Sequence, residues 1–171
     1  TFDYLLRVTQ TAERAGAREI LIPTGAINDS FAPDAPFAES WTMATALAAR
    51  TSTIRLIVAL NPAGISAALA AHQAETLATI APGRIAINLV AGGGPNDGYG
   101  HPPLEHDQRY ARLGALADAL RGRFSGPLYL GGASEEARAA VRASARGAAR
   151  SRRKSASRTP VFRIARRCAP A

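Results

Sequence analysis

The chain has 171 residues, of which 47% are hydrophobic, and this indicates a globular domain rather than intrinsic disorder over most of its length. No apolar run approaches the ~18–20 residues of a membrane span, and a single cysteine excludes an internal disulfide framework, so we expect a cytoplasmic protein. The net charge of +8 is uneven, because residues 137–171 carry ten Arg and one Lys without any Asp or Glu, which leaves the preceding residues at −3.

Helical and strand patterns alternate along most of the chain. Asp3, Ser66 and Asp107 are the expected N-caps of three of the helices. Continuous apolar strands between helices are typical of parallel sheets that are buried on both faces. A (β/α)8 barrel and an open doubly wound sheet share this pattern, and periodicity alone does not choose between them. The predicted elements are a helix over 3–15, a strand over 19–23, a helix over 39–50, a strand over 54–60, a helix from 66, a strand over 84–91, a helix from 107, a strand over 127–130 and a helix from 134.

The pattern ends near residue 143. Residues 143–171 are built mainly from Ala, Arg, Ser and Pro and show no amphipathic period, so we expect a disordered basic tail. Such a tail is one alternative source of function, as a module that binds nucleic acid or another anionic surface. Phe162 is the only aromatic residue there that can stack on a base, and we therefore do not expect nucleic-acid binding.

Two glycine-rich segments follow predicted strands, where ligand sites of parallel α/β folds lie. The loop 92–100 is neither a Walker loop nor a GxGxxG fingerprint, and it can equally be a plain surface connection. The second segment, Gly131 to Ser134, opens a predicted helix. Its free backbone N–H groups and the Ser134 hydroxyl form a possible phosphate cradle. The competing interpretation is an ordinary turn that Ser134 caps.

Three further polar residues are candidates for ligand contacts. His106 and Tyr110 are four residues apart and share one face of the predicted helix. Asn88 is the polar residue inside the apolar strand IAINLVA, and its buried amide needs partners, from neighbouring backbone or from a ligand. We expect no metal site, because no His has a Cys or His partner at metal-ligand spacing. No nucleophile constellation is recognisable, so the catalytic residues are not predicted.

The segments together resemble the luciferase-like monooxygenases, in particular their FMN-dependent alkanesulfonate monooxygenase branch. The resemblance covers most of residues 3–142, strand by strand in the same order. It is carried by EILIPTG (19–25), ESWTMATALAARTSTIRLIVALNPAGIS (39–66), PGRIAINLVAGGGP (82–95), HDQRY (106–110) and PLYLGGAS (127–134).

The resemblance implies a (β/α)8 TIM-type barrel, here partial, over residues 1–142. It also implies reduced FMN supplied by a separate flavin reductase, a sulfonate substrate that O2 and the flavin cleave to an aldehyde and sulfite, and a homo-oligomer in the intact family. Carried over by position, Asn88 is expected near the flavin ring, His106 and Tyr110 are expected as a pair at the FMN, and Ala133 with Ser134 are expected at its phosphate.

The sequence departs from the family pattern in several places. Phe37 stands where the sulfonate branch commonly has a cysteine, and the family's first strand and the later strands that carry its catalytic Arg, His and Tyr residues have no counterpart. We therefore expect little or no catalysis by this chain alone. A deazaflavin-dependent oxidoreductase with the same barrel is a further alternative.

Overall fold

A computed structural model describes residues 1–25, 37–92, 104–131, 139 and 162–165. Helices and strands alternate through these residues, as the apolar pattern predicts. The elements are α1 (Phe2–Arg14), β1 (Glu19–Ile22), α2 (Ser40–Ala48), β2 (Arg55–Leu60), α3 (Ala67–Ile80), β3 (Ile85–Val90), α4 (His106–Arg123), β4 (Leu128–Gly131) and β5 (Phe162–Ala165).

The five strands form one parallel sheet in the order β1-β2-β3-β4-β5. An open doubly wound sheet reverses its strand order at a switch point, whereas a barrel adds each new strand on the same side of the previous one. Sequential order therefore favours a part of a barrel, which is the choice that periodicity alone left open.

The two faces of the sheet differ sharply. The outer face packs against α2, α3 and α4 and is apolar and almost fully buried, and it consists of Ile22, Leu56, Val58, Leu60, Ile85, Ile87, Leu89, Leu128 and Leu130. Strand alternation and register define the opposite, inner face. It consists of Glu19, Leu21, Arg55, Ile57, Ala59, Ala86, Asn88, Val90 and Tyr129. Leu21 is 53% exposed, so the described elements leave part of the inner face uncovered.

A polar cluster lies at the amino-terminal end of the inner face. The Arg55 guanidinium is 2.5 Å from Oε1 of Glu19, and the Tyr129 hydroxyl lies 3.5 Å from the same oxygen. Because Tyr129 belongs to β4 and Glu19 to β1, this contact spans the sheet. It shows that the sheet curves enough to bring strands β1 and β4 towards each other.

The helix ends confirm some of the predicted caps and correct others. Ser66 caps α3 by accepting from the Leu69 N–H. Asp3 and Asp107 are not N-caps, because α1 and α4 begin earlier than predicted and both carboxylates lie in the first turn. There they still interact favourably with the positive end of the helix dipole. The N-cap residues are Thr1 for α1 and Glu105 for α4.

Two charged side chains hold the turn between α2 and β2. One oxygen of Glu13 accepts hydrogen bonds from the backbone N–H groups of residues 52–54 and from the Thr53 hydroxyl. The backbone N–H groups of Thr53 and Ile54 stabilise the carboxylate most, and the pKa of Glu13 is lowered to about 2. From the other side, Arg84 donates to the backbone carbonyls of Ala48 and Ile54 and to a threonine hydroxyl.

The basic segment contains a strand that the sequence did not predict. Phe162–Ala165 form β5, which pairs with β4 in parallel, although this stretch falls within residues 143–171, expected to be disordered. The sequence PVFRIA offers only four strand residues after a proline, too few for the alternation of a strand to be recognised. The other residues expected to form the tail lie outside the described part of the chain.

Among the helices that the structure describes, none combines the length and the apolar character that crossing a membrane requires.

Candidate functional site at the carboxyl edge of the sheet

The carboxyl ends of β2 and β3 and the start of α4 lie at one edge of the sheet. β3 ends at Val90, and β4 runs parallel to it from Leu128, so α4 must begin near the carboxyl edge and return towards the amino edge. This arrangement brings the first turn of α4 to the same edge as the strand ends. Ligand sites of parallel α/β folds form at this edge.

Asn88 lies on the inner face, two residues before the end of β3. Its register partners are Ala59 on β2 and Tyr129 on β4. The side-chain oxygen Oδ1 is buried and accepts no hydrogen bond from the residues that the structure describes. A buried acceptor without a donor costs free energy, so native proteins rarely keep one without a purpose. The sequence left two possible partners for the Asn88 amide, neighbouring backbone and a ligand. The described backbone donates no hydrogen bond to this oxygen.

His106 and Tyr110 approach the edge from the outer face. Their ring centroids are 4.9 Å apart at an interplanar angle of 48°, which confirms that the two residues share one face of α4. Tyr110 packs against the apolar core. The His106 side chain is 48% exposed, and its Nδ1 lies 3.3 Å from an oxygen of Asp107. The pair therefore combines a tyrosine ring packed against the core with a solvent-accessible imidazole.

The structure does not bring all the predicted site residues together. Asn88 is on the inner face, whereas His106 and Tyr110 are on a helix that covers the outer face. They share only the carboxyl edge. Ala133 and Ser134, the predicted phosphate contacts, lie outside the described residues, as does most of the glycine-rich loop 92–100. Their part in the site stays a prediction.

The site contains one residue that sequence reasoning missed, Asn61, and it contains Gly92 from the predicted glycine-rich loop. Asn61 follows β2 directly, and its Oδ1 accepts from the Ala63 N–H at 2.9 Å. Gly92 has a φ of +72°, and a Cβ added to it would lie 3.1 Å from Nδ2 of Asn61. A side chain at Gly92 would therefore strain the backbone and displace the Asn61 amide. The usable sequence signal was an amide residue directly after a buried strand.

The start of α2 reaches the same edge. The Ser40 hydroxyl donates to the backbone carbonyl of Ala59 at 2.9 Å, and Glu39 caps the helix by accepting from the N–H groups of Trp41 and Thr42. Burial raises the pKa of Glu39, but these hydrogen bonds outweigh it and the pKa is lowered overall. The cap therefore stays ionised at neutral pH and fixes α2 against β2.

By resemblance, Phe37 is expected in place of a cysteine that is common in the sulfonate branch. It lines an apolar cavity of about 240 Å³ between α1, α2 and β1, together with Leu5, Val8 and Met43. Its contribution there is apolar packing. No group of three or more His, Cys, Asp or Glu in the described ranges is placed to hold a metal ion.

Comparison with known proteins assigns a lineage to this architecture. The family model described as luciferase-like monooxygenase matches residues 1–167, a range that includes β5. The EDTA monooxygenase of Chelativorans sp. BNC1 superposes with a TM-score of 0.61 at 24% identity, over 71% of this chain and 30% of that chain. A riboflavin lyase solved with modified FMN and riboflavin gives 0.63 at 18% identity, over 82% and 45%. A long-chain alkane monooxygenase gives 0.65 at 16% identity, over 82% and 46%.

At these identities the solved structures show the fold. Their agreement and the sequential strand order confirm the predicted α/β architecture, a partial (β/α)8 barrel. The chain spans less than half the length of each of these three proteins.

Proposed function

The chain belongs to the luciferase-like monooxygenase family, and we propose that it forms the part of such an enzyme that binds reduced FMN at the carboxyl edge of the sheet. The single observation that carries this proposal is the buried, unpartnered Oδ1 of Asn88 on the inner face of β3. A ligand that donates an N–H to this oxygen removes the cost of leaving it unsatisfied.

The chemistry of the described residues fits a flavin. The isoalloxazine ring system is planar and largely apolar, with N–H and C=O groups along one edge, and the edge of this sheet offers apolar surface with isolated amides. Asn88 supplies the acceptor, and the Asn61 amide beside Gly92 lies at the same edge. His106 and Tyr110 supply a ring pair at the same edge. Such a mixture of apolar lining and a few placed polar groups is typical of cofactor pockets.

The phosphate of FMN is proposed to lie beyond the end of β4. That strand ends at Gly131, and Ala133 with Ser134 follow it directly in the sequence. Backbone N–H groups at the beginning of a helix attract a phosphate dianion, and a serine hydroxyl adds a further donor. This part of the proposal rests on the sequence alone.

When bound, reduced FMN supplies the two electrons that activate O2. The residues of this chain would hold the ring in one orientation and keep water from part of it. We further propose an alkanesulfonate as substrate: sulfonate, O2 and reduced FMN give aldehyde, sulfite, oxidised FMN and water. The support is the match of segments such as EILIPTG and PGRIAINLVAGGGP to that branch. A separate flavin reductase would then be the partner that supplies the reduced cofactor.

An anaerobic titration of the purified chain with reduced FMN, followed by absorbance, tests the proposal. We expect saturable binding at one site per chain. Adding O2 and ethanesulfonate to the complex then tests the reaction through the sulfite released. We expect sulfite well below turnover rates, because the chain spans less than half of its solved relatives. Absence of saturable binding up to 1 mM reduced FMN would overturn the proposal.

A further inference from the structure

Asn61 shares the inner face with Asn88. Ala59 is the register partner of Asn88, and Asn61 lies two positions after Ala59, so strand alternation places its side chain on the same face. Neighbouring parallel strands are ~4.8 Å apart, and the two amides are therefore offset along the strands by about two residues. Both occupy the carboxyl end of the sheet.

The orientation of the Asn61 amide is fixed by its hydrogen bond. Oδ1 accepts from the backbone N–H of Ala63 at 2.9 Å, which identifies the other terminal atom as the nitrogen. That nitrogen, Nδ2, faces Gly92, where an added Cβ would be only 3.1 Å away. The amide therefore lies between the turn after β2 and Gly92, the residue that begins the glycine-rich loop after β3.

The N–H groups of Asn61 are available to a ligand. Nδ2 donates no hydrogen bond to the described residues, and the side chain is half-buried. Asn88 presents the complementary group, a buried Oδ1 that accepts no hydrogen bond from the described residues. One face of the sheet therefore offers a free donor directly after one strand and a free acceptor within the next.

We propose that Asn61 is a positioning residue for the bound flavin, donating an N–H to a carbonyl oxygen of the ring while Asn88 accepts an N–H from it. This inference rests on the proposed function. A donor and an acceptor at one edge are complementary in type to the pyrimidine edge of a flavin, where C=O and N–H groups alternate. The pair orients the ring within its plane, which an apolar pocket alone does not do.

A purely structural role for Asn61 has a different consequence. If its only task is to hold the turn through Ala63, any acceptor of similar size replaces it. Asn61→Asp keeps that acceptor and has no N–H to donate. Asn61→Ala removes both groups. Comparing the two variants therefore separates the turn from the ligand contact.

The experiment measures the melting temperature and, under anaerobic conditions, the Kd for reduced FMN of the unchanged chain and of both variants. We expect Asn61→Asp to melt within about 2 °C of the unchanged chain and to bind FMN about tenfold more weakly, the loss of one hydrogen bond. We expect Asn61→Ala to lose both stability and affinity. Thr76→Asp, which adds a carboxylate on the exposed side of α3, is the charge control and should bind FMN normally.

Salt distinguishes the lost donor from simple repulsion of the FMN phosphate by the new carboxylate. Repulsion across solvent is screened in 0.5 M NaCl, whereas a lost hydrogen bond is not. Weaker binding by Asn61→Asp at both 0.05 and 0.5 M NaCl supports the inference. It is overturned if the unchanged chain binds FMN and Asn61→Asp binds it within twofold at high salt. If the unchanged chain itself does not bind FMN, the proposed function fails, and this inference fails with it.

Discussion

Replacing Asn88 by leucine should stabilise the ligand-free chain and weaken FMN binding at the same time. The side-chain oxygen of Asn88 is buried without a donor in the described part of the chain, and leucine has the same branched heavy-atom skeleton without a polar group. The substitution therefore removes an unsatisfied acceptor from an apolar sheet. It also removes the group that we propose to meet the flavin.

The magnitudes follow from the burial of that atom. An unsatisfied buried acceptor costs about 1–3 kcal/mol, and the lower end applies because the Asn88 side chain as a whole is only half-buried. We expect the free energy of unfolding to rise by about 1 kcal/mol, which raises the melting temperature by about 2–4 °C for a chain of this size. Loss of one ligand hydrogen bond should weaken the Kd for FMN about tenfold.

Urea denaturation of the ligand-free chain and an FMN titration measure the two effects separately. Ile57→Leu is the matched control, since it changes an apolar side chain on the same inner face and should alter both quantities little. A decrease in stability of 1 kcal/mol or more in Asn88→Leu would refute the reasoning, because it would mean that the amide already has a partner. Unchanged FMN affinity would refute the proposed contact.

Three predictions concern the scaffold. Glu13→Gln should lower the free energy of unfolding by about 1 kcal/mol at pH 7. The effect is small because solvent screens this partly exposed site. The pKa of Glu13 is about 2 when folded against 4.5 when unfolded, so the unchanged chain should lose this stability as pH falls from 4.5 towards 2. Urea titration at several pH values measures the free energy of unfolding. The prediction is contradicted if Glu13→Gln loses as much stability with falling pH as the unchanged chain does. Arg84→Met leaves its three acceptors unpaired and should cost about 1–3 kcal/mol; a melting temperature equal to that of the unchanged chain would disprove it. Gly126→Ala should lower the melting temperature, because its Cβ would meet the Phe124 ring and lie 2.7 Å from the Ile85 carbonyl oxygen. Gly114→Ala places its methyl group in open space on α4 and should stabilise the chain by about 0.5–1 kcal/mol. A higher melting temperature for Gly126→Ala than for Gly114→Ala would contradict this description of the packing.

The fold was predictable where local chemistry decides it. Strands such as RLIVAL and IAINLV are buried by helices on one side and are apolar apart from Arg55 and Asn88, so their sequences mark them clearly. Helix starts were less predictable. Asp3 and Asp107 are good capping residues, but the direction in which the chain enters each helix decides which residue becomes the cap. β5 depends on its pairing with β4, and no local pattern reports that.

The candidate site was predictable in part for similar reasons. The His106 and Tyr110 pair follows from helical spacing alone, and Asn88 is conspicuous as a polar residue in an apolar strand. The role of Asn61 depends on the register between β2 and β3 and on the close approach of Gly92. Neither is encoded within one segment, so the sequence shows an amide directly after a strand, but only the folded chain places that amide beside Gly92.

The most direct test is NMR of the side-chain amides of the ¹⁵N-labelled chain during titration with FMN. The Asn88→Leu and Asn61→Asp variants assign the two asparagine resonances. We predict that the signals of Asn88 and Asn61 shift together and saturate at one FMN per chain, while Gln10, bonded to the Arg50 carbonyl at the opposite end of α2, stays unchanged. Saturable binding that leaves both asparagine signals in place would contradict the central claim that the carboxyl edge of this sheet is the flavin site.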